Sequence, residues 1–198
     1  MGTKSKMLKW LKSQVGHVGG EKYWQDAYGW SGGGLPFCAV GVTDSLKVTN
    51  TKAPYFPSKV AFDARDKDVI GDRWVDRYDL QPLDILSFDW DHDGTGDHVG
   101  FVVERKGNGV YRTIEFNVSN MVDYRTRYVG DIIGGIRPYY DDEVFTDVDE
   151  TTPHYADIKW MKDAGIAKGF PDGTYRPYSA LTRGDAAAFL HRLYDKLK

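Results

Sequence analysis

Gly32-Gly33-Gly34-Leu35-Pro36-Phe37-Cys38-Ala39-Val40-Gly41-Val42 holds the chain's single cysteine and sets it where a helix should begin. Pro36 disfavours helical backbone for the residue before it, and the small and apolar run from Ala39 to Leu46 then starts a helix with Cys38 in its first turn. Unpaired N–H groups and the positive end of the helix dipole stabilise a thiolate over a thiol at that position. They draw the cysteine pKa toward the range in which sulfur attacks a carbonyl. Taken alone, a cysteine between Phe37 and Ala39 reads equally as a small buried hydrophobe. A base elsewhere in the chain must decide.

The 198 residues are 41% hydrophobic and 14% aromatic, enough for one ordinary core and a small second module. A net charge of -3, with 26 scattered basic residues, argues against nucleic acid, which requires a clustered positive surface. One cysteine excludes an intrachain disulfide and is compatible with synthesis in a reducing cytoplasm. The segment from Met1 to Trp10 is basic but lacks the apolar run of a signal peptide, and no stretch is apolar enough to span a membrane.

Upstream of the cysteine, Met7, Leu8, Leu11 and Val15 recur at helical spacing before Gly16, predicting an amphipathic first helix. Glu21 to Gly34, with Tyr23, Trp24, Tyr28 and Trp30, reads either as one wall of a groove or as an irregular packed loop. Downstream, Asn50–Pro57 is rich in turn signals and the sequence to Tyr78 carries no evident chemistry. Leu80–Phe88 reads as a turn entering a strand with Ile85, Leu86 and Phe88 as its apolar contacts. Asp89, Asp91, Asp93 and Asp97 then alternate around Gly94, as in the first half of a calcium loop. The later bidentate Glu is missing, so a tight acidic turn without metal competes with a calcium site, and no cofactor is expected.

His98–Glu104 and Val110–Asn117 are two strands joined by Arg105-Lys106-Gly107-Asn108-Gly109, a hairpin turn of favoured composition. A two-residue loop at Gly107-Asn108 sets His98 opposite Asn117 with Glu115 diagonal to it. A loop at Asn108-Gly109 shifts the pairing by two residues but keeps all three on one face. Either way a histidine lies beside a carboxylate and an amide, groups that fix its tautomer and stabilise its protonated form when it serves a thiol as base.

Gly34-Leu35-Pro36-Phe37-Cys38-Ala39, Asp97-His98-Val99-Gly100 and Thr113-Ile114-Glu115-Phe116-Asn117 resemble, in order, the three signature segments of the CHAP domain. That is the cysteine- and histidine-dependent amidohydrolase/peptidase module of peptidoglycan-cleaving enzymes. The resemblance implies a papain-like α+β domain with Cys38 as nucleophile, His98 as base, Glu115 as orienting acid and Asn117 in support. In papain-type thiol hydrolases an upstream glutamine often donates to the oxyanion, a role that would fall to Gln14. Many relatives carry glycine where this chain has Phe116, which puts the shape of the cleft there in question.

After Pro138, Tyr139-Tyr140-Asp141-Asp142-Glu143 forms a short acidic linker. Tyr155, Ile158, Met161 and Ala164-Gly165 mark a helix with its terminal glycine. A second helix begins at Thr182, capped reciprocally with Asp185, and is expected to bury Ala186, Phe189, Leu190, Leu193 and Leu197. With Phe145-Thr146-Asp147-Val148, Gly165-Ile166-Ala167-Lys168-Gly169-Phe170-Pro171-Asp172-Gly173-Thr174-Tyr175-Arg176-Pro177 and Leu181-Thr182-Arg183-Gly184-Asp185, this segment resembles one S-layer homology (SLH) repeat. Such modules anchor to anionic secondary wall polymers, and the resemblance implies polymer contacts at Arg183, Asp172, Gly173 and Trp160. Arg183 at a helix start is suited to a carboxylate held bidentately.

These readings combine into an α+β catalytic domain over 1–138, a linker over 139–144 and a small all-α wall-binding repeat over 145–198. The expected function is cleavage of a peptidoglycan amide, by an amidase or an endopeptidase, in the manner of a phage endolysin made in the host cytoplasm and acting at the wall after release. The competing class is a non-catalytic wall-binding protein using the same fold as a scaffold. A lone repeat of about fifty residues buries little apolar surface, so a trimer through that repeat is the expected assembly.

Overall fold

The computed structural model describes residues 2–140, 144, 145, 147, 148 and 152–198. It divides into two compact units, Met1–Asp141 and Asp142–Lys198. Within the expected linker, residues 141–143 lie outside the described residues, as does Thr146 of the repeat's opening segment. No helix among the described residues is long and apolar enough to cross a membrane.

The first unit is α+β. Helix α1 (Lys4–Gln14) is capped by the Thr3 hydroxyl, which accepts from the Lys6 N–H at 3.2 Å, and it buries Met7 and Leu11. The aromatic stretch after it is a helix, α2 (Glu21–Tyr28), and not a loop: it buries Tyr23 and Trp24 and ends on Gly29 at φ 80°. Eight residues give too few turns for a period to show in the sequence, and the glycines on both sides suggest a loop instead. Helix α3 (Cys38–Thr49) begins at the cysteine, as Pro36 and the small residues that follow require.

A short helix α4 (Lys67–Ile70) leads to a six-stranded sheet in the order β1-β6-β2-β3-β4-β5. The strands are β1 (Trp74–Val75), β2 (Ile85–Phe88), β3 (His98–Gly107), β4 (Val110–Val118), β5 (Met121–Tyr128) and β6 (Ile132–Ile136). All paired neighbours are antiparallel. Because side chains alternate along a strand, the sheet has two different faces. Val99, Phe101, Ile114, Phe116 and Val122 join Met7, Leu11, Tyr23, Val40 and Val42 of the helices in the main core. Leu86, Phe88, Val102, Tyr111 and Ile132 form a smaller apolar cluster on the alternate positions.

Phe116 does not shape a cleft. It is fully buried on the helix side of the sheet, edge-on to Tyr23 at 5.1 Å, and it packs against α3 where Gly41 leaves room. A Cβ on Gly41 would lie 2.2 Å from the Phe116 ring. The bulky residue in β4 and the glycine in α3 are therefore one complementary pair.

The β3–β4 turn is the second of the two expected, Asn108-Gly109, with φ of 50° and 71°. A uniform ladder from Gly107↔Val110 would place Gly100 opposite Asn117. Two irregularities, between Val102 and Glu104 and between Arg105 and Gly107, shift the register so that Gly100 faces Glu115. His98 and Glu115 consequently become diagonal neighbours. Gly100 is required between them, because a Cβ there would come within 2.6 Å of the Glu115 Cγ.

In the second unit, helix α5 (Tyr155–Asp163) and helix α6 (Arg183–Lys196) flank a long turn-rich connection. Val144, Phe145, Val148, Ile158 and Ala167 form a small core, with Phe189 packed on it. Asp147 ties the connection down by accepting from the Tyr175 and Arg176 N–H groups, both at 2.7 Å. The Thr182 hydroxyl accepts from the Asp185 N–H at 3.0 Å, and the two side chains bond directly at 2.6 Å, so the carboxylate meets the hydroxyl rather than the Thr182 amide. The expected burial along α6 is only partial: Ala186, Phe189 and Leu193 are half-buried, no residue of α6 is fully buried, and Leu190 and Leu197 are 67% and 78% exposed. A single two-helix repeat has no second surface to cover that face.

Candidate active site

Three elements converge on Cys38: the N-terminus of α3 supplies the sulfur, the first residue of β3 the imidazole, and β4 the carboxylate. The sulfur is half-buried and pairs with the His98 side chain, and the N–H groups of Ala39 and Val99 face it. Burial pushes the thiol's pKa up, but the imidazole and the two amides outweigh it and the net shift is downward. For His98 burial disfavours the charged ring, yet Cys38 and Glu115 raise its pKa to about 9. Both shifts favour a thiolate–imidazolium pair.

His98 Nε2 lies 3.2 Å from Glu115 Oε2, which leaves the other ring nitrogen for the sulfur. The Nε2 axis misses the carboxylate oxygen, so the contact is an ion pair rather than an aligned hydrogen bond. Such contacts commonly tighten only when substrate is bound. Phe88 and Trp90 stack on the imidazole at centroid distances of 5.8 and 5.5 Å, fixing its plane.

Glu115 has a second partner that the sequence reading missed. Arg127 of β5 grips it with both arms, Nε to Oε1 at 2.8 Å and an Nη to Oε2 at 2.6 Å, and the Thr113 hydroxyl donates to Oε1 at 2.6 Å. Burial favours the neutral acid, but these donors and His98 hold the carboxyl well below the usual carboxylate range. No motif marks Arg127. It is one of two arginines on a half-exposed strand, and only the pairing of β5 with β4 brings it to Glu115.

Asn117, two residues beyond Glu115 in β4, has φ 63°, and among the described residues no hydrogen bond joins its side chain to His98. Gln14 donates from its amide nitrogen to Ser13 Oγ at 2.8 Å, while its oxygen accepts from Lys22 and Tyr23; none of these partners belongs to the cysteine site.

The acidic turn satisfies its own backbone. Asp89 accepts from the Asp93 and Gly94 N–H groups, Asp97 from Trp90, and Asp93 from Thr95. Asp63, in the stretch that showed no chemistry, anchors the loop by accepting from the Gly96 N–H at 2.7 Å. Oxygens of Asp89, Asp91 and Asp97 do lie within 4.8 Å of one another, the spacing a cation would need. The loop also carries Trp90, whose ring stacks on His98 at 5.5 Å.

The second unit has a groove of about 420 Å³ between the turn-rich connection and α6, lined by Phe170, Arg176, Asp185, Phe189 and Arg192. Arg183, Asp172, Gly173 and Trp160 do not line it. Arg183 is exposed at the first position of α6, and Trp160 is 57% exposed on α5. Asp172 serves the connection itself, accepting from Thr174 and pairing with Arg176 at 2.8 Å, with Gly173 at φ 81° in the turn. Arg192 lies outside the motif segments, and Arg176, although inside the connection's segment, is marked as a lining residue only by the folding of the connection against α6.

The fold and the site thus describe a two-unit α+β protein with a chain of contacts from cysteine through histidine to a buried glutamate in its first unit. Residues 144–187 match the family model of the S-layer homology domain, so the second unit carries an SLH domain, consistent with anchoring to a cell wall. No curated protein matches the sequence. Among solved structures, the one titled "The crystal structure of Ly7917" is similar at 12% identity with a TM-score of 0.42, over 69% of this chain. The chain spans 62% of that structure's length.

Proposed function

We propose that the first unit is a papain-like cysteine hydrolase of the CHAP type that cleaves an amide bond of peptidoglycan, and that the SLH domain holds it at the wall by an anionic secondary polymer. The observation that carries the reading is the chain of contacts from Cys38 through His98 to Glu115. The Cys38 thiolate attacks the amide carbonyl carbon, and N–H groups at the start of α3 receive the oxyanion. Protonated His98 gives its proton to the leaving amine as the C–N bond breaks, leaving a thioester on the sulfur. Neutral His98 then takes a proton from water, whose oxygen attacks the thioester carbonyl and releases the acid and the thiolate. The acidic turn contributes Trp90, which stacks on the His98 ring.

Digestion of purified walls, with the new termini identified by mass spectrometry, tests this reading. A freed lactyl carboxyl identifies an amidase and a freed amine within the peptide an endopeptidase; intact walls would leave the fold as a binding scaffold. The same digestion is expected to proceed in chelator. A calcium-dependent rise in melting temperature that disappears in Asp91→Ala would instead make the turn a cation site. The uncovered face of α6, with Leu190, Tyr194 and Leu197 exposed, supports assembly of three copies through the repeat, which would add avidity for the wall. Light scattering on the full chain is expected to give a trimer mass, and a monomer mass contradicts it.

A further inference from the structure

Arg127 has no part in the proposed bond-breaking steps, yet it is the strongest partner of the carboxylate that faces the imidazole. Its guanidinium meets both oxygens of Glu115, whose side chain is fully buried, while its own is only 22% exposed. It also lies over the Phe88 and Trp90 rings, 5.1 and 5.3 Å from their centroids, and those rings stack on His98. A second buried donor, Thr113, would keep Glu115 in place without it. Positioning alone therefore does not account for a full cation at this point.

Charge does. A carboxylate set alone against an imidazole in a dry site would bind the imidazolium proton tightly, and a base that holds its proton too well does not release it to a leaving amine. A guanidinium on the far side of the same carboxylate opposes that pull. We propose that Arg127 is a positioning residue for the Cys38–His98 pair: it offsets the charge of Glu115 so that His98 sees a dipole instead of a free anion and can part with its proton. The inference rests on the cysteine-hydrolase reading. The other charged groups around the chain are Asp123 and Arg125 on β5, paired with each other, Asp131 beyond Arg127, and Cys38 itself.

The test is the pH dependence of Cys38 alkylation by iodoacetamide in the full chain, which needs no wall substrate, followed by wall hydrolysis with the same variants. Arg127→Met keeps the packing on Phe88 and Trp90 and removes the charge. Its upper pH limit for the thiolate–imidazolium pair, read as the second transition of the alkylation profile where the imidazolium loses its proton and the thiolate becomes unpaired, is expected to rise by about one unit, and wall turnover at neutral pH to fall about tenfold. Arg127→Lys, which keeps the charge, should restore the wild-type limit. An upper limit that stays in place or falls in Arg127→Met, or that Arg127→Lys fails to restore, overturns the role. If wild type hydrolyses no wall but the limits shift as stated, the function reading fails while the assignment of Arg127 stands.

Discussion

Cys38→Ala is expected to abolish wall hydrolysis, with turnover down by about a thousandfold or more, while the protein still pellets with walls. Loss of a covalent nucleophile removes the pathway rather than slowing one step of it. The exchange itself is small. Alanine is a good helix former, the sulfur is only half-buried, and the hydrogen-bond donors of α3 remain in place. The SLH domain lies in the separate unit and keeps its own core of Phe145, Val148 and Ile158. Activity above a few per cent of wild type would remove Cys38 from the mechanism. Loss of pelleting along with activity would mean that the first unit also carries the wall contact.

The second large effect falls on stability. Phe116→Ala is expected to destabilise the first unit by about 3–5 kcal/mol, because a fully buried aromatic leaves a cavity between β4 and α3 that neither element can close. Against a total stability of about 5–15 kcal/mol that is a large share, and the melting temperature should fall by roughly 10 °C. Gly41→Ala should be destabilising in the wild type, where the new methyl would meet the Phe116 ring at 2.2 Å, and should cost less beside Phe116→Ala, where only the 2.8 Å contact with the Cβ of residue 116 remains. A melting temperature unchanged in Phe116→Ala, or additive losses in the double variant, would contradict the packing described.

What could be read from the sequence was local. Pro36 and the small residues after Cys38 mark a helix start without reference to the rest of the fold, and α3 begins there. Asn108-Gly109 is turn chemistry that needs only its own backbone, and the alternation of β3 and β4 then puts His98 and Glu115 on one face whichever loop closes. What escaped depends on contacts between distant segments. The two bulges that place Gly100 opposite Glu115 have no sequence signature, and Arg127 reaches Glu115 only through the β4–β5 ladder. Phe116 looked like a departure at a cleft because its partner, Gly41, lies in another element. α2 was hidden by its shortness. α6 showed an apolar stripe, but periodicity identifies a face and not whether the chain has anything to cover it.

The claim at the centre of this account is that Cys38 and His98 form a thiolate–imidazolium pair. Cys38 is the only cysteine, so its alkylation by iodoacetamide can be followed by intact mass without ambiguity. Measured from about pH 4 to about pH 10 in wild type and in His98→Ala, the rate reports the thiolate directly. Wild type is expected to react well below the ordinary thiol range. In His98→Ala the transition should move to or above it, because burial then acts on the sulfur with no imidazole to oppose it. Superimposable profiles with an ordinary thiol pKa in both proteins would contradict the pair and the mechanism built on it.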